Sequence, residues 1–90
     1  MDKMVYIVQT HETASEKADD ISVFATLDKA AENYNKTLTE LGEIYGDEKA
    51  EFFLITEYEV TKKEGGEVEL DYEIPIGGGS VTISIFSRKI

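Results

Sequence analysis

The residues with the clearest chemical potential are the acids of one alternating stretch, Glu67-Val68-Glu69-Leu70-Asp71-Tyr72-Glu73-Ile74. Alternation of acidic and apolar residues predicts a β-strand with one apolar face and one face of carboxylates. Carboxylates in a row can act as acid and base, bind a cation or attract a basic protein surface. A further interpretation stays open, in which they form only the solvated face of an antiparallel sheet.

Catalysis needs a positioned nucleophile, an acid–base pair or a metal, and no motif of useful specificity supplies one. Glu59 and Glu73 have the residue types of a glycoside-hydrolase pair, but such pairs flank a cleft, which a flat sheet face does not provide. The single histidine, His11, is interpreted as a surface residue. We therefore expect no catalytic residue, cofactor or metal, and predict that the protein is not an enzyme. A small hydrolase is kept as a further alternative, ranked below the two binding functions given at the end of this section.

Two other segments contain residue types of known binding loops without their spacing. The acids Glu12, Glu16, Asp19 and Asp20 lack the glycine and the spacing of a calcium loop, so a solvated loop is predicted there. Residues 77–80, Gly-Gly-Gly-Ser, lack the Lys-Ser/Thr and the helix that follow a phosphate-binding loop. They predict a hairpin turn instead.

The negative charge is concentrated in one part of the chain. Of the net charge of −10, residues 40–73 carry −9, with twelve acids and three lysines. Such a field repels nucleic-acid backbones and anionic lipid and attracts basic protein surfaces, so we expect neither nucleic acid nor membrane as a direct partner. The absence of cysteine excludes disulfides and thiolate metal sites. The apolar run near the amino terminus is too short for a signal peptide, which favours a cytoplasmic protein.

Periodicity predicts the elements that position these acids, within a single domain of residues 1–90. The apolar runs at 4–8 and 21–24 predict two strands. Apolar residues at steps of three and four predict one helix at about 27–45, with Thr26 as N-cap and Gly46 as C-cap.

Residues 51–60 are predicted to form a third strand that pairs with the acidic strand. The predicted register pairs Val60 with Tyr72 and therefore places Glu59 opposite Glu73. Like charges across a strand pair are destabilising. Water, a cation or a basic partner would relieve the repulsion.

The last predicted strand is 81–86, and Pro75 limits the strand before it. Pairing of this last strand with the acidic strand, with Ile83 opposite Ile74, places Glu69 opposite Arg88. It leaves Phe86 on the outer face, either as an anchor for a partner or packed against a loop. The predicted fold class is therefore α+β. We expect an antiparallel-rich sheet of four to five strands with the one helix packed on one face, in the order β-β-α-β-β-β.

The first sixty residues carry a resemblance to known proteins. The run Val5-Tyr6-Ile7-Val8, a polar loop, the segment 21–34 (ISVFATLDKAAENY) and the later Glu57-Tyr58-Glu59-Val60 resemble small uncharacterised acidic proteins of Gram-positive bacteria and their phages. The likeness is mainly a strand-to-helix junction and carries no catalytic residue across. It implies a context in which small acidic proteins inhibit host defence, as anti-CRISPR or anti-restriction proteins that imitate the charge of DNA.

Charge mimicry requires carboxylates at regular spacing on a rigid surface. Outward residues two apart on a strand lie about 6.6–6.8 Å apart, comparable to successive backbone phosphates. The leading hypothesis is therefore a non-enzymatic module that binds a basic protein surface, such as that of a nucleic-acid-handling enzyme. Its predicted partner-binding residues are Glu57, Glu59, Glu67, Glu69, Asp71, Glu73 and Phe86. The alternative is a phage structural or assembly protein that self-associates, through this face or through an exposed edge strand.

Overall fold

Antiparallel strands form one four-stranded sheet in the described part of the chain, residues 3–13 and 19–90 of a computed structural model. The strands are β1 (Met4–Glu12), β2 (Asp20–Phe24), β3 (Glu69–Ile76) and β4 (Gly79–Lys89). Their order across the sheet is β2-β1-β4-β3, so β1 and β4 are central and β2 and β3 are edges. The α+β class with an antiparallel sheet is confirmed.

The main helix, α1 (Leu27–Tyr45), has the predicted bounds because a capping residue marks each of its ends. At its start the Thr26 Oγ1 accepts the Lys29 N–H at 3.3 Å. At its end Gly46 takes the left-handed conformation, with φ of 69°, which a residue without Cβ adopts at little cost. The helix and its two predicted caps are confirmed.

The predicted third strand at 51–60 is wrong. This segment contains the second half of a 3₁₀ helix (Glu48–Phe53) and the first four residues of a second α-helix, α2 (Glu57–Lys63). The element order is therefore strand-strand-helix-3₁₀-helix-strand-strand, and the predictions of a single helix and of the order β-β-α-β-β-β are wrong as well.

Local capping explains why the segment is helical although its residues favour strands. The Asp47 Oδ1 accepts the Lys49 N–H at 3.0 Å and begins the 3₁₀ helix. Thr56 and Glu59 form a reciprocal capping box: the Thr56 Oγ1 accepts the Glu59 N–H at 3.2 Å, and the Glu59 Oε2 accepts the Thr56 N–H at 3.4 Å. A Thr-x-x-Glu sequence satisfies otherwise unpaired donors at a helix start, and here it outweighs β propensity.

The core lies between α1 and the face of the sheet that we call the inner face. Along β4, residues of this face are buried and those between them are half-buried, which is the alternation of a sheet covered on one side. The buried side chains of this core are Tyr6, Val8, Leu27, Ala30, Ala31, Tyr34, Leu38, Ala50, Ile55, Val68, Ile83 and Ile85.

The hairpin between β3 and β4 sets the register of the acidic strand. Ile76 pairs with Gly79, so the turn consists of Gly77 and Gly78, and Gly78 has a φ of 84°. This two-residue turn is shorter than the predicted Gly-rich loop of 77–80. As a result Glu69 lies opposite Phe86, and the predicted pairing of Glu69 with Arg88 is wrong.

A side chain of α1 holds the linker between the 3₁₀ helix and α2 in place. The Asn35 Oδ1 accepts the Ile55 N–H at 2.8 Å, and the Asn35 Nδ2 donates to the Ile55 carbonyl at 2.8 Å. Ile55 is buried, so its backbone groups have little access to water and depend on this amide.

We predict that Asn35→Ala lowers the free energy of unfolding by about 2 kcal/mol, because it leaves a buried N–H and a buried C=O unpaired. Urea denaturation measures the effect. Asn33→Ala is the matched control, since Asn33 lies on the same helix and its side chain makes no hydrogen bond in the described part of the chain. Equal losses in the two variants would contradict the prediction.

Candidate protein-binding surface

The face of the sheet turned away from α1, which we call the outer face, has no described helix packed on it. The 3₁₀ helix and α2 both pack on α1, on the opposite side of the sheet. On the outer face, Ile21 and Val23 of β2 are 60% and 61% exposed. This face is therefore open among the described residues.

The strand register arranges the outer face in rows that cross all or most of the sheet. These rows are Val23–Ile7–Phe86–Glu69, then Ile21–Gln9–Ser84–Asp71, then His11–Thr82–Glu73. The side next to β2 is apolar and the side next to β3 is acidic, with serine and threonine between them. We call Glu69, Asp71 and Glu73 the acidic row, and Val23, Ile7 and Phe86 the apolar row.

The acidic row is exposed and unpaired. All three side chains are exposed, and within the described part of the chain none of the carboxylates has a hydrogen-bond or ion-pair partner. Glu67, the fourth predicted member, is exposed and precedes β3. The negative field extends into the core: burial chiefly, and the Asp71 carboxylate in addition, raise the pKa of Tyr34 to about 12.

Glu57 and Glu59 lie elsewhere, because the segment that carries them is helical. Both belong to the first turn of α2. This helix packs on α1, on the inner side of the sheet. The Glu59 carboxylate is occupied in the capping box with Thr56. The structure does not bring either residue to the acidic row, and the predicted opposition of Glu59 and Glu73 is wrong.

Phe86 links the acidic and apolar parts of the outer face. It is half-buried between Ile7 and Glu69, and the Arg88 guanidinium carbon lies 4.6 Å from its ring centroid. This cation–π contact fixes the only basic side chain that the described strands place beside the ring. Sequence reasoning found Phe86 but missed Ile21 and Val23, although the alternation Ile-Ser-Val-Phe in a short strand was a signal for an exposed edge.

A small polar cluster lies at the other end of the outer face. The His11 Nδ1 is 2.6 Å from the Asp19 Oδ1, and the Gln9 Nε2 donates to the Asp19 Oδ2 at 2.6 Å. These contacts, first that of His11 and then that of Gln9, lower the pKa of Asp19 below its usual value. Of the acids predicted to line a solvated loop, Asp19 is thus engaged in contacts, and Glu16 lies outside the described residues. Among residues 3–13 and 19–90 no group of three or more possible ligands could hold a metal.

We predict that His11→Ala raises the pKa of Asp19 towards its ordinary value and that Gln9→Ala raises it less. A carboxyl whose pKa is depressed by folding stabilises the fold at pH above its unfolded pKa and loses that contribution as the pH falls through the folded value. Carboxyl carbon shifts followed by NMR between neutral and acid pH measure the effect. An unchanged Asp19 titration in His11→Ala would contradict the assignment.

Comparison with known proteins adds no relative: no protein-family model, curated protein or solved structure matches the chain. The resemblance of the first sixty residues to small phage proteins therefore stays a prediction. Among the described residues, neither α-helix has the length and apolar character needed to cross a bilayer.

Proposed function

We propose that the protein is a non-enzymatic binding module whose outer face engages a basic surface of another protein. The observation that carries this proposal is the acidic row: three exposed, unpaired carboxylates at alternate positions of one strand. Pairing with β4 along the whole length of β3 holds these carboxylates at regular spacing. A rigid row of one sign attracts a surface of the opposite sign and increases the rate of encounter.

Charge alone would give weak binding. An exposed ion pair contributes about 0–1 kcal/mol, so three such pairs supply a few kcal/mol at most and are screened by salt. The apolar row lies on the same face and supplies the area that a partner can desolvate, with Phe86 directly beside Glu69. Protein interfaces commonly combine apolar contact area with a polar or charged margin, and the outer face offers both.

For the partner we propose a nucleic-acid-handling enzyme of host defence. Such an enzyme binds phosphates with lysine and arginine, and carboxylates about 6.6–6.8 Å apart along β3 present negative charges at a similar repeat. The net charge of −10 supports the same choice, since it disfavours nucleic acid itself as the ligand.

A second candidate is self-association, as in a structural or assembly protein. It is favoured by Ile21 and Val23, two large apolar side chains that are more than half exposed on the edge strand β2. This candidate differs from the first in its response to salt, because apolar contact is not screened by ions.

We predict that changing Glu69, Asp71 and Glu73 together to Lys abolishes capture of the partner, because the row then repels a basic surface. The immobilised protein is exposed to a bacterial lysate at low and at high ionic strength, and the retained proteins are identified. The matched control changes Glu32, Glu40 and Glu43 of α1 to Lys, an equal shift of net charge at exposed sites away from the outer face.

The expected pattern has three parts. Wild type and control retain the same basic proteins, the row variant does not, and retention falls steeply with salt. Retention by the row variant would contradict the proposal. Salt-insensitive self-association in sedimentation, lost in Val23→Lys, would support the second candidate instead.

A further inference from the structure

Within residues 3–13 and 19–90, the acidic strand β3 pairs with another strand along one edge only, so the backbone groups of its other edge are free. The Ser87 N–H donates to the Val68 carbonyl at 2.9 Å, which places this pair on the ladder between the chain before β3 and β4. Ladder bonds of an antiparallel pair alternate, so Leu70, Tyr72 and Ile74 bond to β4. The residues between them, Glu69, Asp71 and Glu73, therefore direct their N–H and C=O groups to the free edge.

Pro75 agrees with this assignment. It has the same parity as the acidic row, so its missing N–H falls on the free edge and removes no bond to β4. The free edge thus offers the N–H donors of the acidic row, and Pro75 marks the end of that set.

A groove runs beside this edge. A cavity of about 580 Å³ is lined by residues 72–75 of β3 and by residues 45–49, where α1 passes into the 3₁₀ helix. Because consecutive residues of β3 line it, and these point to opposite faces, the groove lies along the edge of the strand. Tyr72 forms part of its wall, held by donation of its hydroxyl to the Asp47 Oδ2 at 2.7 Å and by its ring, 4.7 Å from that of Phe53.

The two sides of the edge differ in chemistry. The acidic row lies on the outer side. On the inner side Leu70 is 40% exposed and Phe53 is 54% exposed, and α1 contacts β3 less than it contacts β1 or β4. An added strand would therefore meet carboxylates on one side and apolar surface on the other.

We infer that β3 is a docking edge for an extended segment of a basic partner, which adds to the sheet as a fifth strand. This inference rests on the proposed function and specifies its mode. Main-chain hydrogen bonds to Glu69, Asp71 and Glu73 provide the attachment. Alternate basic side chains face the acidic row, and the apolar side chains between them face Leu70 and Phe53.

The charge of the edge selects this occupant over a second copy of the chain. Two β3 edges in antiparallel pairing would place one acidic row beside another, and like charges across strands are destabilising. A basic strand forms opposite-charge pairs at the same positions. The acidic row thus prevents self-pairing and favours a basic segment through the same carboxylates.

The test uses capped, fluorescein-labelled peptides of alternating lysine and valine, with a scrambled peptide of the same composition as control. Two further versions carry N-methyl groups, one on the lysine amides and one on the valine amides. An added strand directs only alternate amides at its neighbour. One N-methylated version should therefore bind about tenfold more weakly than the parent peptide, whereas the other should bind with the same affinity as the parent peptide. Fluorescence anisotropy measures the affinities.

A matched pair of protein variants tests the same edge from the other side. Asp71→Thr and Asp71→Pro both remove the carboxylate, but only the proline removes the N–H at the free edge. We expect Asp71→Pro to bind the alternating peptide about five- to tenfold more weakly than Asp71→Thr. Slow hydrogen exchange of the Leu70 and Tyr72 amides shows that the pairing with β4 is intact in each variant, and the N-methylated peptides test the edge without any substitution.

The outcomes separate this inference from the proposed function. Slowed exchange of the Glu69, Asp71 and Glu73 amides on adding the alternating peptide supports strand addition. Equal binding of the alternating, scrambled and both N-methylated peptides overturns strand addition and leaves binding by the acidic row intact. No binding of any peptide, with capture of a basic protein that still depends on the acidic row, also overturns it. If capture does not depend on that row, the proposed function itself fails.

Discussion

A single helix of 19 residues packs on one face of the four-stranded sheet, and this one-sided cover determines which surfaces are buried and which are exposed. The helix lies mainly over the central strands β1 and β4, whose inner residues Tyr6, Val8, Ile83 and Ile85 are almost fully buried. Among residues 3–13 and 19–90, no further element lies on the other face of the sheet or over both of its margins. The described helices therefore leave the outer face and the edge of β3 exposed, and their composition determines what they can bind.

A few polar contacts connect the helical layer to the acidic edge. The Glu64 carboxylate, just after α2, accepts the N–H groups of Leu27 and Asp28 at 3.1 and 3.2 Å and so caps the start of α1. The Tyr6 hydroxyl of the central strand accepts the Gly65 N–H at 2.9 Å. These contacts tie the link between α2 and β3 to the core. The position of the acidic strand thus depends on residues far from it in sequence.

The charge distribution is consistent with this division of the molecule. On the outer face, the carboxylates of the acidic row lie on β3, whereas the exposed apolar side chains Ile21 and Val23 lie on the opposite edge. A surface with this gradient has distinct ends, because its acidic side chains lie on one edge strand and its most exposed apolar side chains on the other. Exposed carboxylates on an edge strand also protect it from pairing with its own copies, which is a known requirement for sheet proteins.

Local signals in the sequence determined the helix α1 with both caps, the apolar strands and the alternation that puts Glu69, Asp71 and Glu73 on one face. Each of these depends on residues within a few positions of one another. The helical state of residues 48–63 was also encoded locally, in Asp47 and in the Thr56–Glu59 capping box, but apolar and β-branched residues in that segment favoured a strand. Tertiary structure alone decided that β3 is an edge strand and that Glu69 lies opposite Phe86. It also decided that α2, with Glu57 and Glu59, packs on α1 on the inner side of the sheet. Strand order and register arise from pairing between distant segments, and periodicity along the chain contains no information on which segments pair.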